Sequence, residues 1–531
     1  MKSKLQPMMP TLTIMKLSSL FLSWSLLSQS SAFYYDTPED CSWTPLGDSE
    51  NSVYLTCKLT SINSRLERTN FSVIPSESTR GLRIYCTESH LGSLEAAGFS
   101  SLNLLEELVI DGCALDSLPS DAFRGLVSLK RLTVNTRNLS VLKLQQDSFS
   151  HLQKLERLDL SQNSIREFPA GEICKLSQLT HFNLSSNEIG SIFDLGLQHQ
   201  ACSMPHLRIL DLSSNEITSL DSNSLPASLQ ELRLQKNFIR FIAPDVFSNS
   251  SIKIIDMSNN QINHLPSQLL HNVPLQELHL ANNTLSSLPS NVLDGQKQLE
   301  LLDLSGNLLS SSVLTPSLTR DMFSLLEIDL SNNLIEEISQ DFLATFPNLQ
   351  VLKLAANKVS ALNMSPSLFQ LRELDLSSNR LVKIVSDYLT GLESLTHLNL
   401  ANNQIQTIHS ATFKNASQIL VLDISDNQLM RLPESLKYLT NLQTLDIGGN
   451  YIQDITQEDS PLSSMESLWR LQLHGNRIRN ISHDVFTNLK TLQIIDLSRN
   501  EITSMERGTF DQNKLLRTIG KLMVSSAICL S

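Results

Sequence analysis

The sequence predicts an α/β solenoid. This is a stack of repeated coils expected to curve into a horseshoe, with a parallel β-sheet on the concave side and irregular or short-helix backbone on the convex side. Three observations carry that expectation. An eleven-residue motif, LxxLxLxxNxL, returns fifteen times. Its asparagines recur at intervals of 22 to 28 residues, most of them 22 to 24, within the period range of a short strand-and-turn unit. Hydrophobic residues make up 41% of the chain and aromatics only 5%, which suits a core of one repeated aliphatic layer. A length of 531 residues would otherwise suggest three or four globular domains, but a repeat array overrides that count.

The chain opens on a candidate leader. Lys2, Lys4 and Lys16 are its charges up to residue 32, Leu17 to Leu27 is apolar and broken by serines, and Ser30-Ser31-Ala32 offers small residues for cleavage after Ala32. The run is too short to span a bilayer, which needs roughly 20 apolar residues. Met15 to Ala32 is a complete leader by itself. Residues 1–32 are therefore read as a signal peptide that directs the chain out of the cell. Residues 33–81 lack the repeat and contain Cys41 and Cys57; they are expected to cap the first coil, because the end of a stack exposes core. Cys86, Cys113, Cys174 and Cys202 follow, with Cys529 left over. Six cysteines allow 15 connectivities; a rod-like fold and sequence order favour the local pairs Cys41–Cys57, Cys86–Cys113 and Cys174–Cys202. With no CxxC pair, zinc is disfavoured. Eight N-x-S/T sequons, at Asn70, Asn138, Asn183, Asn249, Asn282, Asn363, Asn415 and Asn480, agree with glycosylation in a secretory compartment.

The array is expected over residues 82–514, about 17–18 coils. Its asparagines are Asn163, Asn187, Asn215, Asn237, Asn260, Asn283, Asn307, Asn333, Asn357, Asn379, Asn403, Asn427, Asn450, Asn476 and Asn500, with degenerate copies at Leu105 to Leu115 and Leu129 to Leu139 and a third from Leu82. This is the pattern of the leucine-rich repeat. The alternating LxL makes a short strand, so Leu158 and Leu160 point inward and Asp159 outward. The asparagine turns inward, and its amide is expected to satisfy backbone groups of adjacent coils, since a buried amide without partners is costly. The later half often reads LPxxxF, as in Leu118-Pro119 to Phe123, with the phenylalanine filling the convex side and Pro119 favouring extended or turn backbone over a long helix. After Asn500 a new repeat starts at Leu515 and decays, so 515–531 is expected to be a non-repeat tail.

Asp40-Cys41-Ser42-Trp43, Leu55-Thr56-Cys57, Ile62-Asn63-Ser64 and Thr69-Asn70-Phe71-Ser72-Val73-Ile74-Pro75 resemble the N-terminal cap of insect Toll receptors, most of all the long 18-wheeler-type Tolls. Leu184-Ser185-Ser186-Asn187, Asp194-Leu195-Gly196 and Arg507-Gly508-Thr509-Phe510 are similar to the same subgroup. The resemblance covers roughly residues 36–515. It implies the ectodomain of an innate immune or developmental receptor at the cell surface, binding a Spätzle-like cystine-knot ligand or another leucine-rich-repeat ectodomain. The second repeat block, cysteine-rich flanks, membrane span and cytoplasmic TIR domain of that plan are missing from the sequence. It is read as a soluble form or a shortened gene model, with a secreted adhesion or matrix protein and a soluble decoy as alternatives.

A formal net charge of −13 argues against nucleic acid, which needs a basic footprint, and suits a basic protein ligand. No GxSxG, HExxH, Walker loop or GxGxxG after a strand occurs, and the 12 histidines lack ligand spacing. Binding without catalysis, metal or cofactor is the expectation. The outward strand position gives one register of the concave face, and Asp211, Asp256, His279, Asp303, Asp329, Asp375, Asp423 and Asp446 are its candidate contacts. Two readings of these aspartates stay open: an acidic docking strip, or consensus residues that bond to the neighbouring serine and backbone. Asn183 lies in the same register and begins a sequon, so a glycan there would push a ligand elsewhere. His279, with His181, His397 and His474 on flanking positions, is a candidate pH-sensitive group against the plainer reading of polar surface.

Overall fold

A computed structural model of the chain describes residues 41–46, 52–65, 68–197, 202, 204–315, 318, 322–456 and 460–520. The expected leader at 1–32 and Cys529 lie outside these residues. The chain divides into two compact units between Asp256 and Met257.

The first unit begins with an antiparallel pair, Cys41–Pro45 against Val53–Leu59, in which Cys41 stands opposite Cys57 and is bonded to it. Val53–Leu59 then pairs in parallel with Thr79–Cys86, so the cap region contributes a strand to the sheet and adds to it rather than lying over it. Parallel strands continue through Glu107–Asp111, Arg131–Asn135, Arg157–Asp159, His181–Asn183, Ile209–Asp211, Glu231–Arg233 and Ile254–Asp256. Cys86–Cys113 and Cys174–Cys202 are also joined, completing the three local pairs.

The second unit repeats the plan from Glu277–His279 through Leu301–Asp303, Glu327–Asp329, Val351–Lys353, Glu373–Asp375, His397–Asn399, Val421–Asp423, Thr444–Asp446, Arg470–Gln472 and Ile494–Asp496, all parallel. One further strand, Thr518–Ile519, pairs with Ile494–Asp496. The expected end of the array at 514 is therefore too early. Leu516 N–H and Arg517 N–H bond to Asn513 O and Gln493 O, which carries 515–520 into one more coil without the repeat asparagine. Counted from Thr79–Cys86 among the described residues, the sheet strands number eight in the first unit and eleven in the second, more than the 17–18 coils expected, because the last strand, Thr518–Ile519, lacks the motif.

The inward leucines of each strand are fully buried, as with Leu158 and Leu160. The asparagines form a ladder. Asn187 Nδ2 donates to Leu160 O and Leu184 O, both at 2.9 Å, and its Oδ1 accepts from Ile165 N at 2.9 Å; Leu184 O receives Asn215 Nδ2 as well. The residue before each asparagine turns with positive φ, which Asn332 (54°) tolerates. At Gly306 (64°) the turn also packs so close that a Cβ would lie 2.2 Å from Asn282 Oδ1.

Behind the sheet, helix is scarce. Among the described residues the one α-helix is Gln340–Leu343, and the rest are short 3-10 turns. Phenylalanines stack from coil to coil there. Phe71, Phe99, Phe123, Phe149 and Phe168 follow one another at 4.5 to 6.4 Å in the first unit, and Phe486 meets Phe510 at 5.3 Å in the second. Two-residue strands pair at intervals on this back side: Ser117–Leu118 with Lys143–Leu144, Ser219–Leu220 with Phe241–Ile242, Lys383–Ile384 with Thr407–Ile408, and Asp454–Ile455 with Asn480–Ile481.

Candidate binding face

All eight candidate contacts end their strands on the outer face of the sheet, each half-exposed. The local cause is a shared turn. In six of the seven aspartates one carboxylate oxygen accepts from the backbone two residues on: Asp211 from Ser213 N at 2.9 Å, Asp303 from Ser305 N at 3.0 Å, Asp329 from Ser331 N at 2.8 Å, Asp375 from Ser377 N at 2.8 Å, Asp423 from Ser425 N at 2.9 Å and Asp446 from Gly448 N at 2.9 Å. Ser213, Ser305 and Ser425 add their hydroxyls. The consensus therefore has a structural purpose, which a side-chain acceptor in a turn supplies. It engages Oδ1 and leaves the charge on the face.

The two units differ in what surrounds that charge. In the first, acids meet bases: Glu107 with Arg131 at 2.8 Å, Asp111 with Arg137 at 2.8 Å, and Arg233 with Glu231 at 2.5 Å and Asp211 at 3.5 Å. Arg83 lies between the rings of Tyr54 and Tyr85, 5.9 and 5.8 Å from their centroids, and bonds Tyr85 Oη. Asn183 is half-buried on this face, its Oδ1 accepting from Ser185 N at 2.9 Å.

In the second unit the balance is acidic. Asp303 stands in register with Asp329, and Asp423 with Asp446. Burial first, then the Asp303 carboxylate, push the Asp329 carboxyl above the usual carboxylate range. Burial and Asp423 do the same to Asp446, which His474 and Arg470 partly offset. Lys353, in register between Asp329 and Asp375, is held by Glu327 at 2.5 Å. Sequence reasoning missed a second set of acids: Glu277, Glu327 and Glu373 take the first position of every second strand, with Leu301 and Val351 in register between them. The signal was legible in the sequence as the residue two before the outward Asp329 and Asp375, and two before His279.

The histidines do not act together. His279 Nε2 lies 3.4 Å from Glu277 Oε2. His181, in the first unit, is pushed down by burial and by Arg157, and its Nδ1 meets Thr180 Oγ1 at 2.7 Å. Of the other sequons, Asn70, Asn138, Asn249, Asn282, Asn363, Asn415 and Asn480 are exposed, and none lies on an outer-face strand. Among the described residues no group of three or more His, Cys, Asp or Glu could hold a metal, and no helix is long and apolar enough to cross a membrane.

This architecture, of stacked strand–asparagine coils with a charged outer face, defines a leucine-rich-repeat solenoid. The leucine-rich-repeat model matches residues 136–189, 227–275, 323–381, 369–429, 393–452 and 466–520, together more than half of the chain, and a second model of the same repeat matches 203–220. The chain belongs to the leucine-rich-repeat family. It is 33% identical to Toll-like receptor 7 of Drosophila melanogaster over 213 residues, covering 37% of this chain and 14% of that protein. It is 28% identical to human podocan-like protein 1 over 385 residues, covering 71% of this chain and 58% of that one. It thus spans less than two thirds of either relative. Among solved structures it is similar to the Drosophila Toll–Spatzle complex in its glycosylated form, with a TM-score of 0.69 and 21% identity over 88% of this chain and 66% of that one, a likeness of fold.

Proposed function

We propose that the chain is an extracellular ligand-binding ectodomain of Toll type, which captures a basic protein ligand of the cystine-knot class on the outer sheet face of its second unit. The observation that carries this reading is the aligned, incompletely neutralised carboxylate strip of that unit, Asp303, Asp329, Asp375, Asp423 and Asp446, reinforced by Glu277 and Glu373, while Glu327 is spent on Lys353. Like charges one strand apart, about 4.8 Å, cost stability unless a cation answers them, so a basic partner gains what the free protein forgoes. The first unit suits this less, because Glu107, Asp111 and Asp211 there are paired with arginines and Asn183 offers a glycan on its face. Binding, not catalysis, is the proposed activity, and export through the leader at 1–32 is part of the same reading.

The test uses purified Spatzle, the ligand named in the similar complex, against the chain and its Asp303→Asn/Asp329→Asn/Asp375→Asn variant across a salt series. Asparagine keeps the turn acceptor and removes the charge. Slower association and a flatter salt dependence are expected; identical on-rates at every salt concentration would reject the strip. A second reading, adhesion to other repeat proteins, is favoured by the longer match to podocan-like protein 1. It predicts aggregation of beads coated with the chain.

A further inference from the structure

The back side of the second unit contains a gap one strand wide. Lys383–Ile384 and Thr407–Ile408 form one pair of back strands, Asp454–Ile455 and Asn480–Ile481 another, and the coil between them, through Asn427, has none. The reason is in the sequence. In coils that continue a back strand, the residue six past the ladder asparagine donates its N–H to the coil before: His409 N to Ile384 O at 2.9 Å, Ser482 N to Ile455 O at 3.0 Å. In the intervening coil that residue is Pro433, which has no N–H. Pro169, Pro266 and Pro289 fill the same place in other coils that lack a back strand. Among the described residues, the Asn427 coil alone is a single gap between two strand pairs.

The result is a cleft of about 730 Å³ lined by Thr407, Ile408, Arg431, Pro433, Asp454 and Ile455, with Met430, 72% exposed, beside its floor residues. Thr407–Ile408 and Asp454–Ile455 are two coil steps apart with the one Asn427 coil between them, about 9.6 Å at the ordinary strand spacing, which is room for one extended chain. Its walls are complementary to a main chain. Among the described residues, the carbonyls of Gln406 and Ile408 accept no backbone hydrogen bond, and the amides of Gln453 and Thr456 donate none. One wall therefore presents acceptors and the other donors. Of the charges, Glu434 is engaged by Lys437 at 2.6 Å and Asp454 by Asn480 Nδ2 at 2.9 Å, while Arg431 has neither ion pair nor hydrogen bond among the described residues.

We propose that this cleft binds an extended peptide of a partner protein by strand addition, the peptide's N–H groups donating to Gln406 O and Ile408 O, its carbonyls accepting from Gln453 N and Thr456 N, and an acidic side chain lying over Arg431. Unpaired strand edges are the usual template for such addition. The site lies on the back side, apart from the acidic face, and does not depend on that face binding anything.

The experiment selects a phage-displayed random octapeptide library on the whole chain. Hydrogen exchange is then followed with a synthetic copy of an enriched peptide. Pro433→Thr restores the missing donor, lets the chain's own backbone fill the slot and should weaken the peptide at least tenfold. Arg431→Glu, an exposed change that leaves packing alone, should weaken acidic peptides by a similar factor. Exchange at Gln453 and Thr456 should slow at least tenfold when the peptide binds. Enrichment no better than on the Pro433→Thr chain, or binding that leaves exchange at Gln453 and Thr456 unchanged, overturns the proposal.

Discussion

Replacing Asn333 with alanine removes four hydrogen bonds, yet the cost should be that of one. Asn333 is 5% exposed; its Nδ2 donates to Leu304 O, Leu330 O and Ser331 O at 3.0, 3.0 and 3.1 Å, and its Oδ1 accepts from Leu309 N at 2.9 Å. The three carbonyls keep other donors. Leu304 O retains Asn307 Nδ2, Leu330 O retains Asn357 Nδ2, and Ser331 O retains Gly306 N. Leu309 N alone is left buried without an acceptor. An orphaned buried donor costs about 1–3 kcal/mol, so Asn333→Ala should lower stability by about 2 kcal/mol, far below four separate bonds. Urea unfolding is the assay, read as a lower midpoint at constant slope, with Gln404→Ala, exposed and without side-chain bonds, as the control. A shift for Asn333→Ala no larger than the control would refute the shared-carbonyl argument, and so would a loss of twice the expected size or more.

Three further outcomes follow from the same structure. Phe123→Ala should cost about 3–5 kcal/mol, because the ring is 1% exposed and stacked between Phe99 and Phe149; a loss below 1 kcal/mol in the same assay would show the back-side stack to be loose. Cys41→Ser with Cys57→Ser opens a crosslink 16 residues apart and should cost about 3 kcal/mol, while non-reducing peptide mapping of the parent chain should return the three local pairs and no link from Cys86 to Cys174. The raised carboxyls of Asp329 and Asp446 set a pH dependence of known sign. A raised folded value favours the protonated folded state, so the contribution is fully present below the unfolded value of about 3.9 and is lost as pH rises through the folded one. Asp329→Asn should therefore raise the urea midpoint at pH 7 and low salt and lose that advantage toward pH 3; an equal effect at both would exclude the repulsion.

Much of this molecule was readable because each repeat states the same physics again. LxL fixed which residues face inward, Asn fixed the ladder, and local cysteines on a rod had few other partners. The ends were less legible. Val53–Leu59 and Thr518–Ile519 join the sheet through backbone bonding that needs no leucine signature, so a motif search passes over them. The aspartates illustrate a different limit. Their type and position were plain, but it is the folded backbone that commits one oxygen to the turn, brings Arg233 to Asp211, and sets Asp329 and Asp446 against a like charge. Pro433 was invisible for the opposite reason. A proline at that place is ordinary in this array, and its consequence depends on what the coils on either side do.

The ladder also decides where the chain can change length. From the strand's outward residue to its asparagine the distance is four residues in every motif-bearing coil, as in Asp303 to Asn307 and Asp329 to Asn333, whereas the interval between successive asparagines drifts from 22 to 28. The longest, Asn187 to Asn215, contains Cys202, which is bonded to Cys174 of the coil before. One residue added ahead of an asparagine would throw a whole coil out of phase with both neighbours; the same residue added after it is absorbed in a back turn. Whole coils, cut at matching phase, can thus be duplicated or lost without disturbing those that remain, and the reach of the protein can lengthen or shorten by steps of one strand while each step keeps its shape.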